Sequence, residues 1–318
     1  MKFSTVTIYS DDHGIRLDRF FKRYYKDLHF TLIAKLVRKK LIKLNGKRAD
    51  ISTKLSQGDV LTFPIIEINT AHQEPSNATN HNLDRYANVI KDSVIYEDEN
   101  IIVINKPYGL AVQGGSKIKV SVDDLSIYLQ KDYPEKPKLV HRIDKDTTGL
   151  LVLARSSSIA SKVSELIKSK NFHKIYLALC LNEPTHLSGK IDSPLSKVNS
   201  DYNGYEKVSV HDKGKQAITF YQVLDYAANK YSLIEAKIIT GRTHQIRVHL
   251  SSIGCPIVGD DKYGIEDNLS NVIQNKLYLH AYRLEFELLG QKYKFNAPLP
   301  VYFTEALNNL GLDVNNKI

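Results

Sequence analysis

Residues 149–154, Gly-Leu-Leu-Val-Leu-Ala, form a short apolar run opened by a glycine. A run of this length and composition is expected as a buried strand, and Gly149 punctuates its start. Directly before it lies His141-Arg-Ile-Asp-Lys-Asp-Thr-Thr148, in which Arg142, Asp144, Lys145 and Asp146 crowd within five positions. The charges therefore sit at the mouth of a core element, and an ion cluster on the end of a rigid strand is one way of holding a reactive carboxylate in place. Read as a solvated loop, the same residues would make surface pairs worth ~0–1 kcal/mol each.

With 318 residues, 42% hydrophobic and 25% charged, the chain has the make-up of an ordinary globular protein of more than one domain. No apolar run approaches the roughly 20 residues that span a bilayer, and the start, Met-Lys-Phe-Ser-Thr-Val-Thr-Ile, lacks the long h-region of a secretory signal. Cys180 and Cys255 are expected to be reduced and structural, in a cytoplasmic protein. The net charge of +9 calls for an anionic partner without naming it. Its distribution says more, because residues 1–69 carry 14 Lys and Arg against 7 Asp and Glu.

That first segment reads as two helices and a small sheet. Leu17, Phe20, Phe21 and Tyr24 have the spacing of one buried helical face, and Leu32, Ile33, Leu36 and Val37 repeat it after Thr31, an expected N-cap. Asn45-Gly46 between Leu41–Leu44 and Lys47 onward is a hairpin signal, since both central residues must accept positive φ. The second helix and the hairpin carry Lys35, Arg38, Lys39, Lys40, Lys43, Lys47 and Arg48 with no acid between Leu28 and Ala49. Met alone, such a run is usually a solvated face. Residues 70–90, polar and Asn-rich, read as a linker, and a second domain follows over 91–318. Its elements are a capping-box helix from Ser121, a helix around Val163, Leu166 and Ile167, strands over 174–179, 216–224, 231–240, 277–287 and 291–295, and a short helix capped by Thr243 and stopped at Gly254. The fold class is α+β, with a strand-rich second domain.

The order His-Arg-Ile-Asp-Lys-Asp-Thr-Thr-Gly-Leu-Leu resembles the H-R-x-D-x-x-T-x-G-L-L signature of the RluA-type pseudouridine synthases. Three further segments resemble motifs of that family: Lys106-Pro-Tyr-Gly-Leu-Ala-Val, with Gln113 where the family has His; Lys174-Ile-Tyr; and Arg242-Thr-His-Gln-Ile-Arg-Val-His. The first domain, with its L-I-K-L-N-G-K-R segment, resembles the S4 domain, a small RNA-binding module. The resemblance implies a mixed, mainly antiparallel catalytic sheet and an isomerase that turns uridine into pseudouridine without metal, redox change or nucleotide cofactor. It makes Asp144 the catalytic carboxylate and Arg247 the cation that keeps it ionised. Tyr176 becomes the ring against uracil and a base for the C5 proton, Arg142 the side chain that fills the space of the flipped nucleotide, and Leu279 a pocket wall. It also turns the seven cations from Lys35 to Arg48 into phosphate contacts. Taken singly, Arg247 would be a surface helix residue, Tyr176 and Leu279 core residues.

Among relatives with this layout the chain looks most like the C type acting on large-subunit ribosomal RNA, although the D type also carries an S4 domain. The expected form is a monomer. Other readings stay open. The same chemistry could act on another RNA, including transfer RNA. An N-glycosidase could divide its work between Asp144 and Asp146. A non-catalytic RNA-binding assembly factor is the third. A zinc site is disfavoured because His244 and His249 are five apart and no H-x-x-x-H or C-x-x-C occurs, and no P-loop motif is present.

Overall fold

In the computed structural model the described residues are 3–25, 28, 30–65, 86–115, 118–199, 206–227, 230–264 and 273–314. The chain divides into two compact units, residues 1–77 and 78–318.

In the smaller unit β1 (Phe3–Thr7), α1 (Leu17–Tyr24), α2 (Phe30–Arg38), β2 (Lys43–Leu44), β3 (Lys47–Arg48) and β4 (Val60–Pro64) follow in order, and the sheet runs β1-β4-β2-β3. Leu17, Phe20 and Phe21 of α1 and Ile33, Leu36 and Val37 of α2 close on Ile42, Leu55, Leu61 and Phe63, so the helical spacing read in the sequence builds the core. Two details differ. Tyr24, the fourth residue of the α1 face, is exposed at the helix end, where its hydroxyl donates to Asp12 at 2.8 Å. The helix α2 begins at Phe30, one residue before the expected cap. Asn45 and Gly46 turn the β2–β3 hairpin with φ of +50° and +74°, as a two-residue primed turn demands.

Residues 66–85, most of the expected linker, lie outside the described residues. Its last part is not linker. Residues 86–92 are helical (α3), and Ile90 is fully buried in the core of the larger unit. Ala87, one turn earlier, is also buried, and a face of only two residues is too short a pattern to show in the sequence.

The larger unit then runs β5 (Val94–Glu97), β6 (Ile101–Lys106), α4 (Val122–Leu125), β7 (Lys138–Leu139), β8 (Thr148–Ala154), α5 (Ser157–Lys168), β9 (Phe172–Leu181), β10 (Ser188–Asp192), β11 (Leu195–Asn199), β12 (Glu206–Val210), β13 (Ile218–Ala227), β14 (Tyr231–Ile238), α6 (Gln245–Ser252), β15 (Leu279–Leu288), β16 (Gln291–Asn296) and α7 (Val301–Leu310). One large sheet has the order β10-β13-β14-β9-β15-β8-β6-β5, with β16 on β15 and β7 on β8, while β11 and β12 pair separately. The large sheet is mixed and mainly antiparallel; β15 and β8 are the parallel neighbours. All seven residues of β8 are buried, which is what an apolar run without polar alternation requires.

Gly149 is needed where β8 meets β15. It sits at φ +103° opposite Ala281, and a Cβ there would lie 2.3 Å from the Ala281 carbonyl oxygen. A side chain at 149 would push the two strands apart. This junction sets the spacing between the loop before β8 and the first residues of β15.

Candidate active site

A cleft of about 90 Å³ opens where the loop before β8, strands β9 and β15, and the start of α6 meet. Arg142, Asp144, Tyr176, Arg247 and Leu279, all singled out in the sequence, line it together. Register explains the convergence. Tyr176 on β9 pairs with Ala281 of β15, two residues past Leu279, and Ala281 pairs with Gly149 at the start of β8. Asp144 lies in the turn that enters β8, closed by the Thr147 N–H donating to the Asp144 carbonyl at 3.2 Å. The two acids of the motif are therefore on a turn rather than a strand, where they need not share a face. Asp146 lies outside the cleft lining.

The groups facing Asp144 come from the region of α6, not from its sequence neighbours. Arg247 Nη1 is 3.7 Å and His244 Nε2 4.0 Å from Asp144 Oδ2. Both exceed hydrogen-bond distance. They supply positive potential and leave the carboxylate oxygens open toward the cleft.

Arg247 is held from behind. Its Nε and Nη2 donate to Asp260 at 2.7 and 2.6 Å, Nη2 also donates to Asp261 at 3.0 Å, and Tyr263 stacks 5.2 Å from the guanidinium carbon. Asp260, whose side chain is fully enclosed, further accepts the backbone N–H of Lys262 and Tyr263. Burial opposes both charges. The pairing overcomes it, with Arg247 held above the ordinary guanidinium value and Asp260 below the usual carboxylate range. A bidentate fork fixed in this way cannot swing, so the remaining Nη1 is aimed rather than mobile.

The helix that carries Arg247 is buried from Gln245 to Leu250. Thr243 is not its cap. His244 takes that place in the left-handed region, φ +54°, without a side-chain cap bond. Gln245 fixes the approach instead. Its Oε1 accepts from Thr240 Oγ1 and the Arg242 N–H, and its Nε2 donates to the Ile218 carbonyl and Thr219 Oγ1. The turn leaves the His244 ring between Tyr263 and Asp144. The Tyr263 hydroxyl accepts from the Val208 N–H at 2.9 Å, and 2.8 Å separates it from His244 Nδ1. The phenol proton is then free to go to Nδ1, which leaves the ring proton on Nε2, toward Asp144. Burial lowers the His244 pKa to about 4 despite the pull of Asp144, so the ring is neutral at pH 7.

Burial first, and then the Asp144 charge, pushes the Tyr176 hydroxyl well above its ordinary pKa. It keeps its proton at neutral pH. Arg142 is exposed at the rim, and its guanidinium has no partner among the described residues. Gln113 is exposed and outside the cleft lining. His249 and His280 are enclosed in hydrogen bonds, to Thr219 and the Ser193 carbonyl and to Thr148 and the Ala297 carbonyl. The seven cations from Lys35 to Arg48 all belong to the smaller unit and all are exposed.

A family model described as RNA pseudouridylate synthase matches residues 100–252. The "Ribosomal large subunit pseudouridine synthase C" of Rickettsia conorii is 36% identical over 92% of this chain and 96% of its own. The protein of the same name from Vibrio vulnificus is 34% identical over 97% of both. The chain belongs to the RNA pseudouridylate synthase family. Of solved structures, "Human RNA Pseudouridylate Synthase Domain Containing 4" is 31% identical and superposes with a TM-score of 0.63, over 74% of this chain and all of that one. "Human RNA Pseudouridylate Synthase Domain Containing 1", at 24% identity and a TM-score of 0.54 over 65% and 83% of the two chains, shares the fold. The chain is thus a pseudouridine synthase, an enzyme that isomerises uridine to pseudouridine.

Three residues of this synthase received no role from the sequence, although Lys106 and Lys174 head two of its motifs. Asp260 anchors Arg247, and its signal was an acid pair directly after the apolar Cys255–Val258 stretch, bracketed by Gly259 and Gly264. Lys106, fully buried, donates from Nζ to the carbonyls of Pro107, Leu110 and Lys145 at 2.8–2.9 Å, which ties the loop after β6 to the loop that carries Asp144. Burial draws its pKa down to about 7, but only the three-proton ammonium can satisfy three carbonyls at once, and this holds it charged. Lys174, two residues before Tyr176, lines the cleft as well.

Proposed function

We propose that the chain converts uridines of large-subunit ribosomal RNA to pseudouridine with Asp144 as the catalytic carboxylate. The observation that carries this is the convergence of Asp144, Arg247, Tyr176, Arg142 and Leu279, from separate stretches of chain, on one cleft. The target RNA is inferred from the names of the Rickettsia and Vibrio relatives. Residues 1–69 act as an S4-like RNA-binding domain. Supporting that role, Lys35, Arg38, Lys39, Lys40, Lys43, Lys47 and Arg48 are exposed without an acidic partner among the described residues, and Lys43 stands directly opposite Arg48 across β2 and β3. Like charges placed opposite each other destabilise a hairpin unless an anion lies over them. Such an enzyme would work in the cytoplasm, in keeping with the free thiols of Cys180 and Cys255.

The reaction is an isomerisation, so every atom of the uridine is kept. Asp144 either adds to C1′ or takes the 2′ hydrogen. Each route breaks the C1′–N1 bond and leaves the electron pair on uracil; C5 then joins C1′ as the Asp144–C1′ bond breaks or as Asp144 returns the hydrogen to C2′, and the C5 proton is lost and N1 protonated. Arg247 and the neutral His244 face that carboxylate with a positive charge and a ring N–H. Tyr176, holding its proton, serves as a flat surface on which the freed base turns, worth ~1–3 kcal/mol of stacking. Its high pKa speaks against its acting as the base for C5. Arg142 at the rim is placed to enter the stack as the nucleotide flips out, which itself costs a few kcal/mol.

The test is carbodiimide-modified primer extension across large-subunit ribosomal RNA from cells lacking the gene, rescued with wild type or with Asp144→Asn. Stops lost in the deletion should return with wild type and stay lost with the variant. Persistence of every stop in the deletion would remove the ribosomal assignment.

A further inference from the structure

Buried lysines in this fold come in two kinds. Lys106 is closed off and gives its three protons to three carbonyls. Lys174 is 8% exposed, yet neither a hydrogen-bond acceptor nor a carboxylate pairs with it among the described residues. Burying an ammonium without a partner is unfavourable by several kcal/mol, and burial pulls its pKa down accordingly. His141 beside it gives no relief, since its ring is buried and its pKa is lowered to about 3 by burial and by Lys174 itself. A cation left unpaired in a cleft wall is a place for an anion that arrives from outside.

The surroundings say which anion. Lys174 precedes Tyr176 by two residues on β9, so the two share a face of the strand. A Cβ on Gly241 would lie 3.5 Å from the Lys174 Nζ, so the ammonium rests against the Gly241 backbone. Gly241, Arg242 and Thr243 form the shared wall between the cleft and a second hollow of about 470 Å³. That hollow, under the β11–β12 hairpin, is lined by Lys197, Lys213, Lys215 and Arg242 and by no carboxylate. Lys213 and Lys215 have no acidic partner among the described residues. Lys174 therefore ends a row of cations that begins at the surface, while Asp144 is served by Arg247 and His244. A nucleic-acid strand carries one such anion per nucleotide.

Resting on the reading of the cleft as a uridine site, we infer that Lys174 binds the backbone phosphate adjoining the target uridine, and that Arg242, Lys213 and Lys215 hold the next phosphates of the same strand. The strand then leaves the cleft along the hollow under β11–β12. Binding of that phosphate supplies Lys174 with the counter-charge the free enzyme lacks, so seating of the backbone and ordering of the cleft are linked.

The experiment uses full-length enzyme and a short RNA carrying a uridine the wild type converts, made with the ordinary phosphate or with an uncharged methylphosphonate on either side of that uridine. Lys174→Met should fold, with a melting temperature no lower than wild type, because it removes an unpaired buried charge. Its KM for the ordinary RNA should rise about ten- to a hundredfold, the worth of a charge-assisted hydrogen bond, with kcat little changed. One of the two methylphosphonates should weaken the wild type to the same degree and cost Lys174→Met nothing further, and Lys174→Arg should recover most of the loss. Lys213→Gln and Lys215→Gln, both on the hairpin side, should each reduce the salt dependence of binding. If Lys174→Met loses as much to both methylphosphonates as the wild type does, the phosphate site is wrong although the enzyme stands. A lower kcat at unchanged KM would likewise overturn it, placing the lysine on uracil. Wild type that forms no pseudouridine in any RNA would overturn the reading of the cleft and this site with it.

Discussion

The cation that faces Asp144 is positioned by a residue that does not touch the carboxylate. Asp260 accepts four hydrogen bonds, two from Arg247 and two from backbone N–H groups, and so turns a flexible side chain into a fixed one. Asp260→Asn keeps the shape but loses the charge and one of the two fork acceptors. Tritium release from C5-labelled RNA should then slow on the order of a hundredfold, as expected when a reacting geometry loosens. The melting temperature should fall as well, because Arg247 would be a buried cation short of its counter-charge. A variant with normal turnover would show that Asp261 alone can hold the guanidinium.

At the level of elements, the cleft depends on two loops being held against one strand junction. Gly149 lets β8 and β15 approach, and Lys106 fastens the loop after β6 to the carbonyl of Lys145, next to Asp144. Replacing Lys106 by Met leaves the buried Leu110 carbonyl without a donor, at ~1–3 kcal/mol, and the part-buried carbonyls of Pro107 and Lys145 without theirs at a smaller cost. Chemical denaturation should report a loss of roughly 3 kcal/mol or more, and the protein that remains folded should turn over slowly with near-normal RNA affinity. Full stability and activity in Lys106→Met would mean that the loop holds itself.

For the whole molecule, two dependences follow from charge. Neutralising Lys39, Lys40 and Lys43 in the smaller unit should weaken RNA binding and flatten the slope of log affinity against log salt by ~0.7–0.9 for each phosphate no longer neutralised. An unchanged slope would show that this face does not meet RNA. The second dependence is on acid. Burial lowers His141 to about 3 and His244 and His280 to about 4 from an ordinary value of 6.5. Between these values the unfolded chain takes up protons that the folded one refuses. Stability is therefore complete above pH 6.5 and is lost as pH falls toward 4, each enclosed ring adding up to about 1.4 kcal/mol per pH unit. Thermal unfolding should show a melting temperature that drops steadily from pH 7 to pH 5, and a flat profile would contradict the neutral burial of these rings.

Sequence by itself determined the strand Gly149–Ala154, the helices of the first unit, the Asn45-Gly46 turn and the acid-free basic stretch, because each is a matter of residues within a few positions of one another. Resemblance of ordered motifs then named Asp144, Tyr176 and Arg247, which no periodicity would have distinguished from loop, core and surface. What only the tertiary structure decided is which groups meet. Arg247 looked like a surface residue because an arginine on a short helix usually is one, and only the packing around α6 shows that it is buried together with its neighbours. Its partner Asp260 lies 13 residues away behind a glycine turn, and Lys106 reaches a carbonyl 39 residues on. Lys174 stands out only because nothing among the described residues pairs with it. An ion pair or an unpaired charge is a relation in space, fixed by the register of β9, β15 and β8, and local sequence carries no record of it.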